Sequence, residues 1–60
     1  MQIRDLRYND RITAFEASVS VTRDGAKLRF PCRVFGPASL NPAIIKDNLF
    51  RQANRMAAAH

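Results

Sequence analysis

What this sequence lacks narrows it first. Its 60 residues include one cysteine, one histidine, two glycines and no tryptophan. The lone Cys32 excludes a disulfide within the chain. One Cys and one His supply too few ligands for a structural zinc site. Acidic residues number five against ten Lys and Arg, scattered as Asp5, Asp10, Glu16, Asp24 and Asp47. They set up no paired-carboxylate arrangement for acid–base work. No apolar run approaches the length that spans a bilayer. The opening "MQIRDLRYNDR" mixes charges of both signs and has no apolar core, so it does not read as a secretory signal; the expected location is cytoplasmic. Repeats, linkers and low-complexity tracts are missing as well, which leaves a single small domain over residues 1–60.

A chain of this size buries only about 60% of the surface its unfolded state exposes. With disulfide and metal excluded, self-association is the natural supplement to so small a core. What is present is a globular composition, 47% hydrophobic and 25% charged, with a net charge of +5 and a pI near 10.8. A basic domain attracts polyanions, nucleic acid first.

The central segment "FEASVSVTRDGAKLRFPCRVF" carries the clearest pattern. Phe15, Ala17, Val19 and Val21 alternate with Glu16, Ser18, Ser20 and Thr22, the period-two signature of a half-buried strand. After Asp24-Gly25, a pair suited to a type I′ hairpin turn, Ala26, Leu28, Phe30, Cys32 and Val34 alternate with Lys27, Arg29, Pro31 and Arg33. A two-residue loop sets Val21 opposite Leu28, Val19 opposite Phe30, Ala17 opposite Cys32 and Phe15 opposite Val34. It also sets Glu16 opposite Arg33, a cross-strand ion pair. A slip by one residue would put apolar against charged throughout, so the register is well determined. Pro31 then falls where its nitrogen aims away from the first arm, which marks the second arm as a sheet edge.

A third strand should therefore pair with the first arm, and "QIRDLRY" is the candidate. A turn at Asn9-Asp10 would bring Leu6 beside Thr13 and Tyr8 beside Arg11. Past Gly36-Pro37, Asn41-Pro42 is a helix start, an N-cap side chain followed by proline at the first helical position. Ile45, Leu49, Ala53 and Met56, widened by Phe50 and Ala57, form an apolar stripe. Asp47 and Arg51 stand four apart on the opposite side. The expected architecture is α+β: an antiparallel hairpin or three-stranded meander over about residues 2–8, 12–22 and 26–35, packed against one helix over about 42–58.

Weighed for chemistry, Cys32 falls on the core face, where cysteine behaves as a small hydrophobe. His60 is expected to be a solvated terminus. The expectation is a non-enzymatic protein with no cofactor, no metal, no small-molecule substrate and no membrane partner. Its sharpest candidate for binding is the polar face of the hairpin. There Lys27, Arg29 and Arg33 project beside Ser18, Ser20 and Thr22, with Arg23 at the tip and Arg7 joining from the N-terminal strand. Such a ribbon can contact phosphates and base edges. The layout resembles, in topology only, plant AP2-type and phage-integrase arm-binding domains, which read DNA with that face. The bland alternative is a solvated sheet face. At one end of that face Ile12, Ala14 and Phe35 form an apolar cluster expected to be exposed in a monomer, a candidate homodimer interface.

The order Phe15, Ala17, Asp24-Gly25, Cys32, Val34, Ala38, Leu40, Phe50 and Asn54-Arg55 resembles a family of short bacterial proteins, domain of unknown function 1488. The resemblance implies a small bacterial α+β protein and brings no activity and no binding residues. The leading expectation is a homodimeric interaction module of the cytoplasm. The alternative is a nucleic-acid-binding module using the basic face.

Overall fold

The structure is a computed structural model and describes residues 1–59; His60 lies outside the described residues. The elements are β1 (Gln2–Asn9), β2 (Ala14–Arg23), β3 (Ala26–Phe35) and α1 (Pro42–Ala59). The three strands form one antiparallel sheet in the order β1-β2-β3, an α+β fold.

The β2–β3 hairpin follows its pattern residue for residue. Every pair from Arg23↔Ala26 to Ala14↔Phe35 is in register, including Val19↔Phe30 and Glu16↔Arg33. Asp24 and Gly25 both have positive φ, 51° and 78°, the geometry a type I′ turn requires. Gly adopts that conformation without a Cβ penalty, and Asp tolerates it. β3 is an edge strand, with Pro31 opposite Ser18 and its missing N–H turned outward.

The β1–β2 connection departs from expectation. Tyr8 pairs with Phe15 and Asn9 with Ala14, so the turn spans Asp10 to Thr13 instead of Asn9-Asp10. Neither Leu6–Thr13 nor Tyr8–Arg11 forms, and β2 begins at Ala14, not Ile12. The physical reason is local hydrogen bonding. The Asn9 side-chain oxygen accepts from the Arg11 N–H at 3.1 Å, a self-made Asx turn, and the Thr13 carbonyl accepts from the Gly36 N–H at 2.9 Å. The longer loop also lets Tyr8 meet Phe15 edge to face, with ring centroids 4.8 Å apart.

α1 lies over β2 and β3 and does not reach β1. It starts where expected: the Asn41 side-chain oxygen accepts from the Ala43 N–H at 2.9 Å, and Pro42 opens the helix. Its buried stripe is Ile45, Leu49, Ala53 and Ala57, with Phe50 and Met56 half-buried beside it. That stripe packs on Ala17, Val19, Val21, Cys32 and Val34, with Leu49 and Val19 the largest side chains wholly out of solvent. Leu40 closes the near end, its Cδ2 only 3.1 Å from where a Cβ on Gly36 would stand. The core therefore occupies one face of the sheet, and the other face carries no covering element among the described residues.

Candidate functional site

Alternation decides which side chains stand on the uncovered face. Odd-numbered residues of β2 and even-numbered residues of β3 meet the helix. The opposite set, Glu16, Ser18, Ser20 and Thr22 on β2 and Lys27, Arg29, Pro31, Arg33 and Phe35 on β3, faces outward. β1 adds Arg4, in register with Ser18, and Arg7, in register with Glu16.

Arg4 and Arg7 share a face only because β1 is irregular. In a regular strand, positions three apart point to opposite sides. Here the register shifts between Arg4 and Arg7, and Asp5 takes φ = 56°. The bulge absorbs one residue, and both guanidinium groups arrive on the open face. Arg4 was not foreseen from the sequence. The signal available was the broken alternation of "IRDLRY", which leaves the faces of β1 undetermined until the bulge is located.

The expected site residues divide accordingly. Arg7, Lys27, Arg29 and Arg33 come together on the open face. Arg23 does not: its odd position in β2 turns it toward the helix side, where it borders a shallow depression with Leu28, Ala57 and Ala58. Being at the hairpin tip did not exempt it from the strand's alternation. The open face thus presents five cations, Arg4, Arg7, Lys27, Arg29 and Arg33, with the Glu16 carboxylate among them and Asp5 bordering the depression beside Arg7.

Glu16 is already engaged. Its carboxylate accepts from Arg33 at 3.0 Å and from the Asn9 amide at 3.3 Å. Those bonds, the Asn9 one first, hold its pKa below the ordinary glutamate value. Arg4, Lys27 and Arg29 carry no such partner in a described salt bridge. Between the cations the floor is made of short side chains. Arg7, Pro31 and Arg33 border a depression that meets Asp5, Glu16 and Ser18 and also takes in Ala17, Cys32, Gln52 and Met56 of the helix side. Ser20 is 4% exposed although no described element covers this face, and its Oγ has no hydrogen-bond partner among the described residues. Gln2 and Arg29, its neighbours in register, shade it.

The apolar end is smaller than expected. Ala14 is fully buried, Ile12 is half-buried and Phe35 remains 67% exposed. A methyl side chain on the central strand is shaded by longer neighbours, here Asn9 and Phe35. Ala14 is therefore no contact surface, and the expected three-residue patch reduces to one ring. Gly36 to Leu40 leaves toward the helix side and does not fold over Phe35.

The two sheet edges differ in how they are finished. On β3, Gln52 of α1 reaches the strand and bonds the Arg33 backbone twice, accepting from its N–H at 3.2 Å and donating to its carbonyl. With Pro31 two residues earlier, that stretch of the edge offers no free donor for further pairing. β1 has no helix beside it, and Leu6 is 48% exposed.

Nothing in the structure recruits Cys32 for chemistry. It is buried, its Sγ donates weakly to the Phe30 carbonyl at 3.7 Å, and burial pushes its thiol pKa up, away from the reactive thiolate. Among the described residues no group of three His, Cys, Asp or Glu comes together, and no helix is long and apolar enough to cross a membrane. The fold and site define a class, a helix-backed three-stranded sheet with one open, cationic face. The chain matches no protein-family model, no curated protein and no solved structure.

Proposed function

We propose that this chain is a nucleic-acid-binding module that works through the open face of its sheet. The observation that carries the reading is the gathering of Arg4, Arg7, Lys27, Arg29 and Arg33 on the one face that the helix leaves free. Guanidinium groups bond phosphate oxygens in a fork geometry, and each phosphate neutralised releases condensed counterions. The small hydroxyls of Ser18 and Thr22 supply neutral donors between the charges. A row of like charges also argues against this face docking onto a second copy of itself.

The test is binding of a labelled oligonucleotide followed by fluorescence anisotropy across a salt titration. The affinity falls steeply as salt rises. The double variant Lys27→Glu/Arg29→Glu reduces the salt slope by about 1.5, because two phosphates are no longer neutralised. That pair is preferred to one including Arg33, whose guanidinium holds Glu16. Binding indifferent to salt, or no binding to any nucleic acid, overturns the reading.

A second reading, self-association, is favoured by the contrast between the edges. β3 lacks free donors at Pro31 and Arg33, whereas β1 is uncovered and exposes Leu6 and Met1. In this reading two copies join along β1, not through Ile12, Ala14 and Phe35. Light-scattering mass at high micromolar concentration decides it: a dimer that Leu6→Lys converts to monomer supports it, and a monomeric parent chain refutes it.

A further inference from the structure

The relief of the open face distinguishes between kinds of nucleic acid. A duplex major groove, about 12 Å wide, admits a two-stranded ribbon, whose long side chains reach base edges best when they project along its middle. Here the profile is reversed. The central strand contributes Ala14, Glu16, Ser18, Ser20 and Thr22, mostly short, while the long cationic side chains stand on β1 and β3. Those outer strands lie two strand spacings apart, about 9.6 Å. The result is a trough walled on both sides where β1 pairs with β2, from Ala14 to Ser20, about 23 Å long, with Arg4 and Arg7 on one wall and Arg29 and Arg33 on the other. One polynucleotide strand fits between such walls, and a duplex rests only on their rims.

At one end of the trough stands Phe35, 67% exposed and in line with Arg33 and Arg29 along β3. Its backbone position is held from the next residue on. The Gly36 N–H donates to the Thr13 carbonyl at 2.9 Å, and the Gly36 carbonyl accepts from the Tyr8 hydroxyl at 3.1 Å. An aromatic ring on a braced backbone beside guanidinium groups is the arrangement on which an unpaired base stacks. Toward the other end, the trough floor is closed by the buried Ser20, whose Oγ has no partner among the described residues.

From these features we infer that the open face takes a single strand, with the cations of β1 and β3 along its phosphates and Phe35 as the platform for one base. This rests on the nucleic-acid reading above and gives it a substrate class. A duplex offers Phe35 no unstacked base; a single strand does.

The experiment compares a labelled 12-nucleotide oligothymidylate with a 12-base-pair duplex at matched salt, using the whole chain. The single strand binds more tightly, with a salt slope no steeper than about −3.5 when all five cations each neutralise one phosphate. Phe35→Ala weakens that binding roughly 5-fold or more without changing the slope, since a stacked ring releases no counterion. Phe35→Tyr restores it, and unchanged unfolding temperatures of both variants show that the fold is intact. A duplex bound as tightly as the single strand, or a neutral Phe35→Ala, overturns this inference and leaves the nucleic-acid reading standing. Failure of both probes to bind removes the two together.

Discussion

Val19 and Ser20 are consecutive in the central strand and almost equally inaccessible, at 0% and 4% exposure. They are buried for opposite reasons. Val19 lies under α1 among Leu49 and its neighbours, where removing apolar surface from water stabilises the fold. Ser20 lies on the open face, shaded by longer side chains, with a hydroxyl that no described protein group satisfies. One face is a packed core, and the other is a surface built around short residues. Accessibility alone does not distinguish them; chemistry and the position of the helix do. On the proposed reading, stability and binding fall to alternate residues of the same strands, so each can be altered with little effect on the other.

Leu49→Ala is the strongest test of that separation. Leu49 is fully buried, and such truncations cost about 3 kcal/mol. In a domain this small the unfolding temperature falls by roughly 12–24 °C. Oligonucleotide affinity, measured well below that temperature, stays unchanged, because no open-face residue is touched. A large change in affinity would show that the two faces are coupled.

Gln52→Ala comes next. It removes two hydrogen bonds that finish the β3 edge, a cost of about 1–2 kcal/mol by chemical denaturation. Amide exchange at Arg33 speeds up markedly. If exchange there is unaffected, the side chain is not what protects the edge.

On the open face, Glu16→Gln removes one carboxylate from among the cations and frees Arg33. At neutral pH the variant binds oligothymidylate severalfold more tightly at fixed low salt, the size expected for one unit charge acting across water. The pH dependence has a definite sign. Glu16 is lowered from its ordinary value, so its pairing stabilises the fold above the unfolded glutamate pKa and is lost as pH falls through the lowered folded one. The advantage of the variant therefore shrinks on acidification through that range. An advantage that persists there would exclude the carboxylate charge as its cause.

Ser20→Ala is the smallest effect expected. The Ser20 hydroxyl has no hydrogen bond among the described residues to forfeit, so the change in unfolding free energy stays within about 0.5 kcal/mol or is slightly favourable. The same change at a serine whose hydroxyl is hydrogen-bonded within the protein would be costly, so a large destabilisation would reveal a partner for Ser20.

The second hairpin was legible because its information is local. A period of two, a turn pair that accepts positive φ and one proline are all readable within "FEASVSVTRDGAKLRFPCRVF", and one register satisfies them together. The helix start at Asn41-Pro42 and the Ile45–Leu49–Ala53 stripe are local in the same way. The first hairpin resisted because its geometry comes from side chains meeting the backbone and from distant partners. The Asn9 oxygen on the Arg11 N–H, the Gly36 N–H on Thr13 and the bulge at Asp5 leave no simple period. Arg23 was misplaced for a simpler cause: a residue beside a turn still obeys the alternation of its strand.

The amino-acid sequence by itself determined the elements, the β2–β3 register, the apolar face that α1 covers and the basic character of the whole. Local periodicity and turn chemistry suffice for these, since each depends on neighbours a few positions away. Only the tertiary structure decided which cations share a surface. A one-residue bulge set Arg4 beside Arg7 on the open side, and packing of α1 across β2 and β3 left that side free. A bulge shifts every side chain beyond it by half a strand period, so which face Arg4 joins is settled by the pairing of whole strands.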